Sequence, residues 1–131
     1  MAGRAEPLVY LDTHIVIWLY AGLQGKLTGR AREAIEGSDL RCCQISRLEI
    51  QYLHEIGRIT VGPEAILKEL SRTIGLKASP QPLSEIVDEA FHIRWTRDVF
   101  DRLLAAEVIL TDSALITADR ELARNLDRVI W

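Results

Sequence analysis

Between Val99 and Leu110 the chain reads VFDRLLAAEVIL, with Asp98 directly ahead of it. The spacing predicts a helix that is apolar nearly all the way round, interrupted only by Asp101, Arg102 and Glu107. A helix of that composition is buried. At about 100° per residue, Asp101 falls on the same side as Leu104, Ala105 and Val108, and Arg102 points about 100° away. A carboxylate in such a place costs on the order of several kcal/mol unless a partner or a cation compensates it.

Outward from this helix the chain alternates strand and helix. Leu8–Leu11 (LVYL) reads as a buried strand, and Thr13–Tyr20 as an apolar helix. Thr28 is placed to cap a helix over Gly29–Ile35, closed by Gly37. Leu40–Gln44 reads as a strand. Ile45–Ile56 reads as a helix with Leu48, Tyr52, Leu53 and Ile56 on one buried face. Pro63 starts a helix that Gly75 ends. Ala78–Pro82, with two prolines, is at most a short edge strand. Ser84 caps a helix to about Ile93, with Ile86, Val87, Ala90 and Phe91 inward. After the central helix come a strand at Ala114–Thr117, a helix from Asp119 to Asn125 and a strand at Arg128–Trp131. This alternation predicts an α/β fold, a central, mainly parallel β-sheet flanked by helices.

The 131 residues fit one domain, residues 1–131, of which 1–7 read as an N-terminal extension. The longest uncharged apolar run, Thr13–Gly25, is too short to span a bilayer. No apolar signal-peptide core precedes Leu8. A cytoplasmic protein with no membrane partner is expected. Cys42 and Cys43, adjacent and the only cysteines, read as small core residues rather than a disulfide or ligands. The net charge of −3 advertises no general nucleic-acid binder. Basic residues do gather around the central helix, at His92, Arg94, Arg97 and Arg102. His14, Trp18 and Trp95 read as packing residues, His14 on a different side of its helix from Asp12.

Three acids stand at separate strand-to-helix junctions. Asp12 closes the first strand, Glu49 lies in the helix after the second, and Asp119 follows the Ala114–Thr117 strand. In a parallel sheet the C-terminal strand ends share one rim, where open α/β sheets bind ligands. Asp101 joins that rim if its helix starts there, with Asp98 as a fifth acid. Asp12, Asp98 and Asp119 are also good N-caps, and Ser46–Glu49 has capping-box spacing. Asp101 is not needed as a cap. Carboxylates so gathered repel unless some are protonated or a cation lies between them, and Mg²⁺ or Mn²⁺ suits an open, oxygen-only site. Such a site can hydrolyse phosphodiesters.

Several stretches resemble one family. They are Leu11-Asp12-Thr13-His14 with the apolar helix ending Trp18-Leu19, Leu48-Glu49-Ile50, Arg97 through Ala106, and Leu115 through Asp119. In that order, across essentially the whole chain, they resemble a PIN domain, and within it the VapC-type ribonuclease toxins of toxin–antitoxin systems. The resemblance implies an Mg²⁺- or Mn²⁺-dependent endoribonuclease. Its catalytic and metal-binding acids map to Asp12, Glu49, Asp101 and Asp119, with Asp98 and Thr117 auxiliary. It also implies a small antitoxin partner whose C-terminal tail covers the groove, and a homodimer. Arg94, Arg97 and Arg102 are candidate RNA-phosphate contacts. Val99, Arg47 and the Glu107-Val108 pair depart from the family pattern, and Arg47 and Glu107 are expected to alter the antitoxin or dimer surface. Aspartate-dependent phosphohydrolases need a second Asp where His14 stands. Receiver domains need a late-strand Lys, and the lysines here are Lys26, Lys68 and Lys77. The alternative is a catalytically silent binding module on the same scaffold.

Overall fold

The computed structural model describes residues 6–131, so most of the expected extension over residues 1–7 lies outside the described residues. Five strands, β1 (Leu8–Leu11), β2 (Asp39–Cys42), β3 (Lys77–Ala78), β4 (Ala114–Ile116) and β5 (Val129–Ile130), form one sheet in the order β3-β2-β1-β4-β5. Every pairing is parallel, with Val9 opposite Leu40 on one side and Ala114 on the other. The α/β expectation holds, and the sheet is wholly rather than mainly parallel.

Seven α-helices are present among the described residues: α1 (Thr13–Tyr20), α2 (Gly29–Gly37), α3 (Gln44–Glu55), α4 (Pro63–Ile74), α5 (Leu83–Ala90), α6 (Val99–Leu110) and α7 (Arg120–Asn125). The central strands are apolar without a break because both faces are covered. Val9 and Leu11 enter one core with Ile15, Val16, Ala31 and Leu70. Tyr10, pointing the other way, enters a second core with Ile86, Leu104, Ala105, Val108 and Leu122. Leu115 and Ile116 divide between the same two cores. The expectation that α6 is buried all round holds for its middle only: Leu104 through Val108 are buried, whereas Val99 and Ile109 are exposed.

Local chemistry sets the ends. Thr28 Oγ1 accepts from the Ala31 N–H at 3.1 Å, capping α2. Gly75 closes α4 at φ 71°, a left-handed conformation that favours glycine. The expected strand Leu40–Gln44 is cut short: Cys43 is the N-cap of α3, and Gln44 is its first helical residue. Ser46 therefore lies inside the helix and makes no capping box. Pro82, not Ser84, stands at the N-cap of α5.

Three burial expectations are corrected. On α3 the core side carries Ser46 and Ile50, whereas Leu48, Tyr52 and Ile56 are 58%, 48% and 50% exposed. Phe91, just beyond α5, is exposed. Glu107 is no surface residue, since only 1% of it is accessible. Both cysteines are buried in the core as expected, and burial raises both thiols, Cys42 up to about 12. No helix among the described residues is long and apolar enough to cross a membrane.

Candidate active site

The chain builds outward from β1 to β2 and β3, then crosses to β4 and β5 on the other side. β1 and β4 thus flank the point where strand order reverses, the usual crevice of an open α/β sheet. Asp12 follows β1 and Asp119 follows β4 by three residues. α6 enters β4 through a three-residue turn at the N-terminal rim. Twelve residues rising about 1.5 Å each carry its other end across the sheet to the C-terminal rim. Asp98 and Asp101 are therefore delivered to the side where Asp12 and Asp119 lie.

The buried Asp12 carboxylate is held at both oxygens. Oδ1 accepts from the Thr13 N–H at 2.7 Å, and Oδ2 from the Thr117 hydroxyl at 2.7 Å. Thr117 is fully buried, and its Oγ1 accepts in turn from the Asp119 N–H at 3.0 Å. Glu49 joins from α3, its Oε1 accepting from the Thr13 hydroxyl at 2.5 Å. Asp98 Oδ1 caps α6 through the Asp101 N–H at 3.0 Å. Asp119 Oδ1 caps α7 through the N–H groups of Glu121 and Leu122, at 2.8 and 3.0 Å. Capping and clustering are thus compatible, because a cap engages one carboxylate oxygen and the charge remains at the rim.

The charges of the other four acids all reach Asp101. Burial, reinforced by the charges of Asp98, Asp12, Asp119 and Glu49, pushes the Asp101 carboxyl up to about 7. Burial also raises Glu49; the Thr13 hydroxyl works against this, and Asp12 and Asp98 add to it. Among the described residues no Lys or Arg pairs with any of the five. As they stand, no three or more His, Cys, Asp or Glu side chains among the described residues are grouped so that they could hold a metal ion. Oxygen-only donors, uncompensated charge and an open arrangement fit a hard divalent cation that keeps several waters. They do not fit a closed structural zinc site.

The arginines are placed differently from one another. Arg94 and Arg97 are exposed on the segment between α5 and α6. Arg102 is partly buried, and its Nε donates to the Ala90 carbonyl at 3.0 Å, which ties it to the end of α5.

His14 is the residue that sequence reasoning missed. Its Nδ1 lies 3.4 Å from Asp12 Oδ2, and its Nε2 accepts from the Ala118 N–H at 3.1 Å. Viewed down a helix axis, His14 and Asp12 diverge. Helical side chains also lean toward the N-terminus, however, so a long side chain in the first turn reaches back over the helix start. That lean is the signal that was available for both Thr13 and His14.

Residues 9–127 match the family model described as the PIN domain. No curated protein matches the chain in sequence. Among solved structures the fold is similar to that of VapBC2 from Rickettsia felis bound to a promoter DNA fragment. That match has a TM-score of 0.65 and 16% identity, and covers 93% of this chain and 96% of that one. DNA-bound VapBC from Salmonella typhimurium gives a TM-score of 0.62 and 17% identity, covering 94% of this chain and 96% of that one. PAE2754 from Pyrobaculum aerophilum gives 0.55 and 19%, covering 97% and 91%.

Proposed function

Because this chain belongs to the PIN domain family, we propose that it is a metal-dependent endoribonuclease and the toxin half of a toxin–antitoxin pair. The observation that carries the reading is the rim itself. Burial and neighbouring acids raise Glu49 and Asp101 there, and no Lys or Arg among the described residues pairs with Asp12, Glu49, Asp98, Asp101 or Asp119. Asp12, Glu49, Asp101 and Asp119 would hold Mg²⁺ or Mn²⁺, with Asp98 and Thr117 auxiliary. When bound, the cation supplies polarisation of the phosphoryl oxygen and a more acidic water.

The chain's own residues do the rest. Thr13 and Thr117 fix the Asp12 carboxylate, so its position needs no rearrangement on loading. In the metal-free site burial and neighbouring acids raise Asp101 and Glu49, and a cation held between them would offset that repulsion. Arg94 and Arg97 would position RNA phosphates without reading sequence. Two VapBC complexes among the fold's neighbours support an antitoxin partner. The exposed α3 residues Leu48, Tyr52 and Ile56 support a homodimer.

Cleavage of total RNA in the presence of Mg²⁺, Mn²⁺ or chelator tests this. Wild type should cut only with metal, and Asp12→Ala should lower the rate by at least about a hundredfold, roughly 2.7 kcal/mol of barrier. A wild type that cuts with neither ion is a silent binding module.

A further inference from the structure

His14 touches two of the segments that supply the acidic rim, yet carries no acid itself. The Ala118 N–H is always a donor, so the ring nitrogen facing it at 3.1 Å, Nε2, must carry the lone pair. In the neutral ring the proton is then on Nδ1, which lies 3.4 Å from Asp12 Oδ2. One imidazole thereby joins the end of β1 to the backbone immediately before Asp119. It runs beside the second link between the same segments, in which the Thr117 hydroxyl donates to Asp12 and accepts from the Asp119 N–H. The ring is itself braced. Trp18 meets it edge-on at 4.9 Å between centroids, and Trp18 packs 6.2 Å from Trp131 and carries Lys26 Nζ at 5.1 Å.

We propose that His14 is a positioning residue of the active site, a clamp that sets the spacing of Asp12 and Asp119 by accepting a hydrogen bond from the Ala118 N–H and holding a polar contact of 3.4 Å with Asp12 Oδ2. The inference rests on the nuclease reading for its consequence, and not for its geometry. The Asp12 N–H already donates to the Ile116 carbonyl at 3.1 Å, and the Thr117 hydroxyl holds the next residue. With His14 in place, the loop is held at two successive residues, 118 and 119. Supports of this kind around ligating side chains are typically worth about 10- to 100-fold in metal affinity or activity.

The test uses the full chain and three variants. His14→Phe keeps a flat ring against Trp18 and removes both nitrogens. His14→Gln restores an amide that can accept from the Ala118 N–H. His14→Ala removes everything beyond Cβ. Nitrogen shifts of the wild-type imidazole should report the Nδ1-protonated tautomer, and the Ala118 amide should be protected from exchange. Mn²⁺ titration calorimetry should show affinity lowered about tenfold or more in the Phe and Ala variants and partly recovered in Gln. kcat should fall in the same order, with KM for RNA within about twofold. If His14 served packing alone, Phe would match wild type and Gln would not, and that order overturns the proposal. An Nε2-protonated tautomer overturns it as well. If wild type cuts no RNA, the nuclease reading fails by itself, and the tautomer and the Ala118 exchange still decide whether the clamp exists.

Discussion

A carboxyl group enclosed by the core and one gathered among other acids meet different surroundings, and Glu107 and Asp101, on one helix, separate the two cases. Asp101 sits among four other acids and is pushed up to about 7. Its folded value lies above the unfolded one, about 3.9, so the native state holds the proton more tightly. The stability this contributes is full below about pH 4 and is lost as the pH rises toward 7. Metal-free protein should therefore melt at falling temperature across that window, and Asp101→Asn should flatten the slope. Mg²⁺ should restore the melting temperature of wild type at pH 7.5 more than that of the variant, and the variant should not cut RNA. Calorimetric scans from pH 4 to 8 with chelator or Mg²⁺ check this. Glu107 is a different case: its Oε2 is buried without a hydrogen-bond partner, near Tyr10 and Cys43. Glu107→Gln keeps the volume and removes a carboxyl from the core, so it should gain about 1 kcal/mol, or about 3–5 °C, with unchanged cleavage. A thermal shift with a parallel cleavage assay reads both. Asp12, Glu49 and Asp119 were legible in the sequence because they follow strand ends, and Asp101 because it is a carboxylate on an otherwise apolar helix. His14 was not, because a helical wheel discards the lean of side chains toward the N-terminus.

At the level of elements, the misread face of α3 carries the most information. Its apolar residues occupy more than one side, and periodicity selects the longest stripe, Leu48–Tyr52–Ile56, without saying what that stripe meets. The core takes Ser46 and Ile50 instead, and the stripe is left outside beside Phe100, whose ring lies 6.1 Å from Tyr52. Sequence reading located the strands and most helices because burial on both faces makes LVYL and ALIT apolar without a break. It misplaced the end of β2 and the start of α5, where Cys43 and Pro82 act through backbone geometry rather than side-chain caps. A contiguous exposed apolar stripe marks an interaction surface. Its occupant should be the same stripe of a second copy, which would bring two acidic rims near one another through Glu49. Light scattering should find a dimer at micromolar concentration. Leu48→Arg with Tyr52→Arg should give a monomer melting within about 2 °C of wild type, since exposed substitutions change stability little. A monomeric wild type at high micromolar concentration would remove this interface.

For the whole molecule, charge imbalance rather than cavity size singles out the candidate site. A cleft of about 650 Å³ opens at the opposite end of the sheet, between Pro7, Arg30, Gly37 and Ser113. There Arg128 already pairs with Asp112, so its charges are balanced. The acidic rim has no such balance, and this dictates what an inhibitor must bring. A protein that silences the site has to offset several carboxylates at once, which a basic side chain placed among them does at the expense of the metal. Around it the inhibitor must meet Arg94 and Arg97 with acids and the exposed Val99 with an apolar side chain. An amphipathic tail with at least one Lys or Arg satisfies all three. Expressed alone, the protein should slow growth with loss of intact RNA, and Asp12→Ala should abolish both. Co-expression with a small protein encoded beside it should restore growth while the two purify together as a folded complex. Neutralising the basic residue of that partner's tail should bring RNA cleavage back without dissolving the complex, because apolar and Arg-directed contacts remain. If the tail variant still inhibits fully, the partner blocks substrate access by bulk alone. If the wild type is harmless and cuts no RNA with either ion, the scaffold binds without catalysis.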